Sequence, residues 1–210
     1  MRSAAECGAG ARCRRRGGAA RHGGRRDPPR GVSVVAYQGA PGAFGHAACL
    51  RFLPGWTPLA LARFEDVVAA VADGAAERGM LPAENSIAGA VPGVADMVAA
   101  RPVVVRARHD LPIELHLLGA AGASLATIRR VASHPVALAQ CAGWLCARGL
   151  APEPATNTAL AALALAGAPD PALGVAASEN AAEAYGLAIV ARDIHDRADN
   201  LTTFWEIERA

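Results

Sequence analysis

From residue 32 onward, short β-branched or apolar runs alternate with alanine-rich stretches, and this alternation restricts the possible folds more than any other feature. Residues 32–36 read as a strand closed by Gln38-Gly39, and residues 43–52 as the helix behind it. Residues 64–73 place Phe64, Val67, Val68 and Val71 on one helical face. Residues 79–82 read as a strand, 85–98 as a helix and 103–105 as a strand. Residues 109–118 alternate Leu111, Ile113, Leu115 and Leu117, as one extended strand would. Strands at 128–132, 174–177, 189–191 and 203–207 and helices at 137–148, 158–166 and 180–185 complete the series. Strands alternating with helices predict an α/β fold. The apolar block from Leu111 to about residue 188 sits between elements of an outer unit. That predicts two lobes, lobe 1 from 32–109 and 189–210 and lobe 2 from 110–188. A pocket is expected between them, where strand ends and helix starts meet.

Composition narrows the function classes. Hydrophobic residues make up 52% of the 210, much of it alanine, so the helices should be slim and closely packed. The net charge of +2 hides an asymmetry. Residues 1–31 carry nine arginines against Glu6 and Asp27, and the remainder carries twelve arginines against seventeen acids. The part expected to fold is therefore mildly acidic, which argues against a nucleic-acid partner. Residues 1–31 lack a periodic apolar pattern and read as a disordered Arg/Gly-rich extension. A basic arm for nucleic acid and a start assigned too early are the other readings of that segment. No lysine occurs, which excludes Schiff-base chemistry and a P-loop lysine. Cys7, Cys13, Cys49, Cys141 and Cys146 form no metal-ligand spacing and read as reduced thiols. No apolar run reaches the roughly 18–20 residues that span a bilayer, and no secretory signal is recognisable. The expected location is the cytoplasm.

Four polar clusters interrupt the alanine background at strand-to-helix junctions. Gln38-Gly39-Ala40-Pro41-Gly42-Ala43-Phe44 is a tight turn whose backbone N–H groups could meet an anion, or a plain turn. Glu84-Asn85-Ser86 with Gly89 offers more polar groups than a helix cap requires. Ser133 is placed to cap the helix after Pro135, and Gln140 shares its side two turns later. His134 reads as structural or as a general base. Asp199-Asn200-Leu201-Thr202-Thr203-Phe204 feeds a terminal strand, where threonine is at home without any site. Thr158 opens an alanine-rich helix and has a capping explanation of its own.

In order and spacing these clusters resemble the prephenate dehydratase family across about residues 33–207. Matched are the glycine-rich opening, Pro-x-Glu-Asn-Ser-x-x-Gly (82–89), Ser-His-Pro-x-Ala-x-x-Gln-Cys (133–141), Thr158-Ala159, and Ala-Ser-x-x-Ala-Ala-x-x-Tyr-Gly-Leu (177–187). The closing Asn-x-Thr-Arg-Phe is matched except that Thr203 stands where the family has arginine. The resemblance implies a two-lobed fold similar to a periplasmic binding protein, with the active site between the lobes. It implies that Thr202 is catalytic, and that Asn85, Ser86, Ser133, Gln140 and Thr158 bind substrate. It implies conversion of prephenate to phenylpyruvate in phenylalanine biosynthesis, with no metal or organic cofactor, in a homodimer or larger assembly. Neither a membrane nor a nucleic acid is an expected partner. A regulatory ACT domain, which often follows in the family, is expected to be absent. The altered motif keeps two other readings in play, a decarboxylase that does not aromatise prephenate and a non-catalytic binding module. Arogenate is an alternative substrate. If Thr203 removes a fixed cation, the loss is worth about 1.5–3 kcal/mol, or about 10- to 150-fold.

Overall fold

The structure, a computed structural model, describes residues 31–210. The predicted extension, apart from Gly31, lies outside the described residues. The chain builds two α/β sheets and passes between them twice. The first sheet takes β1 (Val34–Gln38), β2 (Thr57–Leu61), β3 (Arg78–Asn85), the short β4 (Gly89–Ala90) and β5 (Val103–Pro112). The second takes β6 (His116–Gly119), β7 (Arg130–Ser133), β8 (Ala151–Pro154), β9 (Leu173–Ala177) and β10 (Ala188–Ala191). The chain then returns, and β11 (Leu201–Arg209) inserts into the first sheet between β3 and β5, giving the order β2-β1-β3-β11-β5. The second sheet has the order β10-β6-β9-β7-β8. The two-lobed α/β architecture expected from the sequence is the one the chain adopts.

Each sheet is covered on both faces. In lobe 1, α1 (Phe44–Phe52) packs Ala48 and Cys49 with Val35, Tyr37, Met80 and Phe204 on one face. On the other, α2 (Phe64–Ala72) and α3 (Val94–Ala99) bury Val67, Val71, Val94 and Val98 against Ala36, Leu81 and Ile207. In lobe 2, α4 (Pro135–Gln140) and α5 (Ala142–Cys146) cover Leu117 and Val131, while α6 (Thr158–Gly167) and α7 (Glu179–Tyr185) cover Leu118 and Val175. Alanine recurs at the contact positions of α6 and α7, so those helices lie close to the sheet, as the composition led us to expect.

Several boundaries differ from the sequence reading. β2 and β8 are absent from it; both contain proline, and each is the outer strand of its sheet, where a missing N–H costs no ladder bond. Residues 85–98 do not form one helix. Asn85 ends β3, a hairpin to β4 follows, and only Val94–Ala99 is helical. The strand expected over 109–118 is two strands, β5 and β6, separated where the chain leaves the first sheet. The helix expected over 137–148 is broken at Cys141. β10 pairs with β6, so the return crossing occupies residues 192–200 and does not begin at 189.

Candidate functional site

A cavity of about 540 Å³ lies between the lobes, within the roughly 300–1,000 Å³ usual for small-molecule sites. Lobe 1 contributes Asn85 from the end of β3 and Thr202 from β11; lobe 2 contributes His134, Gln140 and Thr158 from the starts and ends of its helices. Among the described residues, no arginine, aspartate or glutamate lines it. Its remaining wall is largely apolar, with Phe44, Phe64, Met80, Ile113, Leu115 and Phe204.

The closing strand places Thr202 by alternation. Successive side chains of a strand face opposite sides, so Thr202 and Phe204 are buried towards the cleft and α1 while Thr203 and Trp205 take the far face. Thr203 does not line the cleft. Its hydroxyl donates to Asp110 at 2.6 Å, and Glu84 lies opposite it on β3. Arg106 pairs with Glu206 and Glu208, Arg108 stacks over Trp205, and Arg197 pairs with Asp199. None of these arginines is among the cleft-lining residues.

Asn85 is the centre of the polar wall. Its Oδ1 accepts the backbone N–H groups of Ile87 and Ala88 at 3.0 and 2.9 Å, which turns the chain into the hairpin. Its Nδ2 then faces Asn200 Oδ1 at 2.8 Å, the Leu201 carbonyl at 3.0 Å and Thr202 Oγ1 at 3.0 Å. That nitrogen carries two hydrogens for three oxygens, so one is shared. Thr202 Oγ1 can only accept from an amide N–H, which leaves its own proton uncommitted to any protein acceptor among the described residues. Asn200, 2% exposed, donates through Nδ2 to Gln140 Oε1 at 3.1 Å and so joins the two lobes.

The other predicted residues fall outside this cluster or at its rim. Ser86 is tied to the closing strand, donating to the Asp199 carbonyl at 2.8 Å and accepting from Leu201 N at 2.9 Å, and does not line the cavity. Ser133 is fully buried, donates to the Ala176 carbonyl at 2.6 Å and also lies outside the lining. It is not the cap of α4. His134 is, accepting Val136 N through Nδ1, because Pro135 occupies the first helical position and leaves the preceding residue extended. Thr158 lines the cavity, but Asn157 caps α6 by accepting from Ala159 N and Leu160 N. Asn157, also in the lining, is not among the residues the sequence reading singles out, although an asparagine just ahead of an alanine-rich helix was an available signal; Gln38, in the lining too, enters that reading only as the start of the glycine-rich turn.

The glycine-rich turn serves a different end. Tyr185 and Ser178 of lobe 2 donate to the carbonyls of Pro41 and Gly42, each at 2.7 Å. A Cβ on Gly42, whose φ is +83°, would sit 2.6 Å from the Cα of Ala181. Two of the matched segments therefore meet each other and brace the lobes. Behind the turn, α1 begins at Phe44 and Gly45 with no side chain capping it, and both line the cleft. Burial holds the His46 imidazole below its ordinary pKa, and its Nδ1 accepts from Gly42 N at 3.2 Å.

Among the described residues, Glu114, His116 and Asp193 each bring a potential metal ligand within 4.8 Å of the others, at the crossings and outside the cleft lining. His116 Nδ1 already accepts the Asp193 N–H at 3.0 Å, so the neutral ring carries its proton on Nε2 and presents a donor there. The group reads as a tie between crossings. Burial pushes the Cys49 and Cys141 thiols up to about 12, which leaves both as unreactive packing residues.

The chain is thus a two-lobed α/β protein with a cavity of small-molecule size between its sheets. A family model described as prephenate dehydratase matches residues 35–210. A bifunctional N-acyl-homoserine lactone acylase/prephenate dehydratase from Komagataeibacter europaeus is 38% identical over 179 residues, 85% of this chain and 64% of that protein. Arogenate dehydratase/prephenate dehydratase 2 of Arabidopsis thaliana is 36% identical over 175 residues, 83% of this chain and 46% of that protein. The chain thus spans between about half and two-thirds of these relatives. A crystal structure of prephenate dehydratase from Arthrobacter aurescens in complex with L-Phe superposes with a TM-score of 0.77 at 27% identity, covering 84% of this chain and 60% of that one. The chain belongs to the prephenate dehydratase family. Among the described residues, no helix is long and apolar enough to cross a membrane.

Proposed function

We propose that the chain is a prephenate dehydratase that forms phenylpyruvate for L-phenylalanine biosynthesis. The observation that carries this reading is the convergence of Thr202, Asn85, Gln140 and Thr158 on one cleft, each from a different segment matched to the family. In the reaction the bond to the ring carboxylate breaks and releases carbon dioxide. Its electron pair enters the ring, and the 4-hydroxyl leaves with a proton as water. Aromatisation drives the step, so the protein has to hold two carboxylates and assist the departing oxygen. Thr202, with its proton free and its oxygen held by Asn85, is the group we assign to that oxygen. Gln140, Thr158 and the uncapped start of α1 supply neutral donors for the carboxylates. Ser86 and Ser133 support the site by fixing the strand ends that carry it. The same reading places the protein in the cytoplasm as a homodimer or larger homo-oligomer, with a small-molecule substrate.

Incubating the purified protein with prephenate and following phenylpyruvate in alkali tests the proposal. Phenylpyruvate above the uncatalysed rate supports it. A product lacking only carbon dioxide, detected by mass spectrometry, would replace it with the decarboxylase reading, and no product at all would leave the binding module. Arogenate in place of prephenate settles substrate preference. A second reading comes from the printed name of the Komagataeibacter relative and is favoured by the apolar wall of the cleft, which suits an acyl chain. Release of free homoserine lactone from an N-acyl-homoserine lactone is its test.

A further inference from the structure

We infer that Asn200 is a positioning residue that sets the orientation of the Gln140 amide, so that lobe 2 presents hydrogen-bond donors to the substrate and no amide acceptor. The argument starts from groups whose polarity is fixed by covalent structure. The N–H groups of Ile87 and Ala88 can only donate, so the Asn85 atom they meet is the oxygen, and its nitrogen must face Asn200. Asn200 then has to turn its own oxygen to Asn85, which points its nitrogen at Gln140. Gln140 answers with its oxygen, and its NH2 is left without a protein acceptor among the described residues, at the wall of the cleft. The polarity of one hairpin's backbone is thus passed through three amides, from lobe 1 to lobe 2. Burial of Asn200 matters here, because in water either flip of a side-chain amide would be satisfied, whereas in a buried chain one reversed member leaves two like atoms facing each other. The identity of the anion the wall receives rests on the function proposed above; the amide relay itself does not.

Asn200→Asp tests the relay, because a carboxylate can accept from Asn85 but cannot donate to Gln140. Gln140 should then turn its NH2 to the introduced carboxylate and its oxygen to the cleft. We expect KM for prephenate to rise about tenfold or more, with the loss falling on KM rather than on kcat. The new charge could act by itself, so the change is repeated in a Gln140→Leu background. If the relay holds, Asn200→Asp adds little there; if the two effects multiply, the relay is overturned. A ligand-free readout separates this from failure of the proposed reaction. The side-chain NH2 resonances of Gln140, identified by their loss in Gln140→Leu, should exchange rapidly in the parent protein. In Asn200→Asp one of them should move downfield and exchange more slowly. Unchanged Gln140 resonances would sink the inference even in a fully active enzyme, and the expected change would sustain it in an inactive one.

Discussion

Two of the places where the lobes touch use the same kinds of atoms for opposite purposes. At the brace, the hydroxyls of Ser178 and Tyr185 end on the backbone carbonyls of Gly42 and Pro41, and the chains approach so closely that only glycine fits at 42. Every donor there is consumed by the protein. At the polar wall, Asn85, Asn200, Gln140 and Thr202 are also linked to one another, but among the described residues the chain of donors ends with hydrogens of Gln140 and Thr202 left over. A closed set of hydrogen bonds fixes distance, and an open set leaves binding capacity. Segments of equal prominence in the sequence therefore divide into those that brace the lobes and those that line the cleft.

The sharpest way to break this division is to remove the open end. Thr202→Ala should lower kcat for phenylpyruvate formation by about 100-fold or more, while the urea midpoint barely moves because Asn85 keeps two other acceptors. Turnover close to that of the parent protein would show that Thr202 does not serve the leaving oxygen. The converse change is Gly42→Ala, which combines a left-handed backbone with a collision against Ala181. It should cost about 2–5 kcal/mol of stability by urea denaturation, and unaltered stability would refute the brace. Tyr185→Phe removes one of the brace's bonds and should cost about 1 kcal/mol with KM for prephenate unchanged.

Smaller effects sharpen the boundary between the two regions. Thr203→Arg places its guanidinium beside Asp110 and Glu84, on the face away from the cleft. It should change kcat/KM by less than about threefold, the range of surface substitutions away from special features. A rise of tenfold or more would show that position 203 reaches the substrate in a way its strand face denies. The pH dependence of stability concerns the brace. His46 is held below its ordinary pKa by burial, so the unfolded chain takes up a proton at higher pH than the folded one. Its contribution is complete above the unfolded value near 6.5 and is lost as pH falls below that towards the folded value. Urea midpoints at pH 7.5 and 5.5 should differ less in His46→Gln than in the parent.

Much of this was legible before the structure. The alternation of strands and helices gave the α/β class and the return of the last strand, since local apolar period survives tertiary context in long segments. Where side-chain chemistry competes with period, the reading failed. Residues 85–98 read as one helix, and instead Asn85 bends its own chain into a hairpin, because its oxygen takes the N–H groups of Ile87 and Ala88. Ser133 looked like a cap and is a buried tie between β7 and β9, a role that depends on which strand lies next to it. β2 and β8, each containing proline, hold their place as edge strands, which sheet order decides.

By itself the sequence determined the fold class, the family and most of the polar residues of the cleft, because these follow from residue types in a fixed order. Tertiary structure alone decided which face of β11 each threonine takes, that Thr203 lies outside the cleft, and that the glycine-rich turn and the Ala-Ser segment meet as a brace. It also decided the role of Asn200, a single residue in a closing motif until the return crossing places it between Asn85 and Gln140. Order along the chain names the donors; only the crossing of two lobes determines which of them have hydrogens to spare.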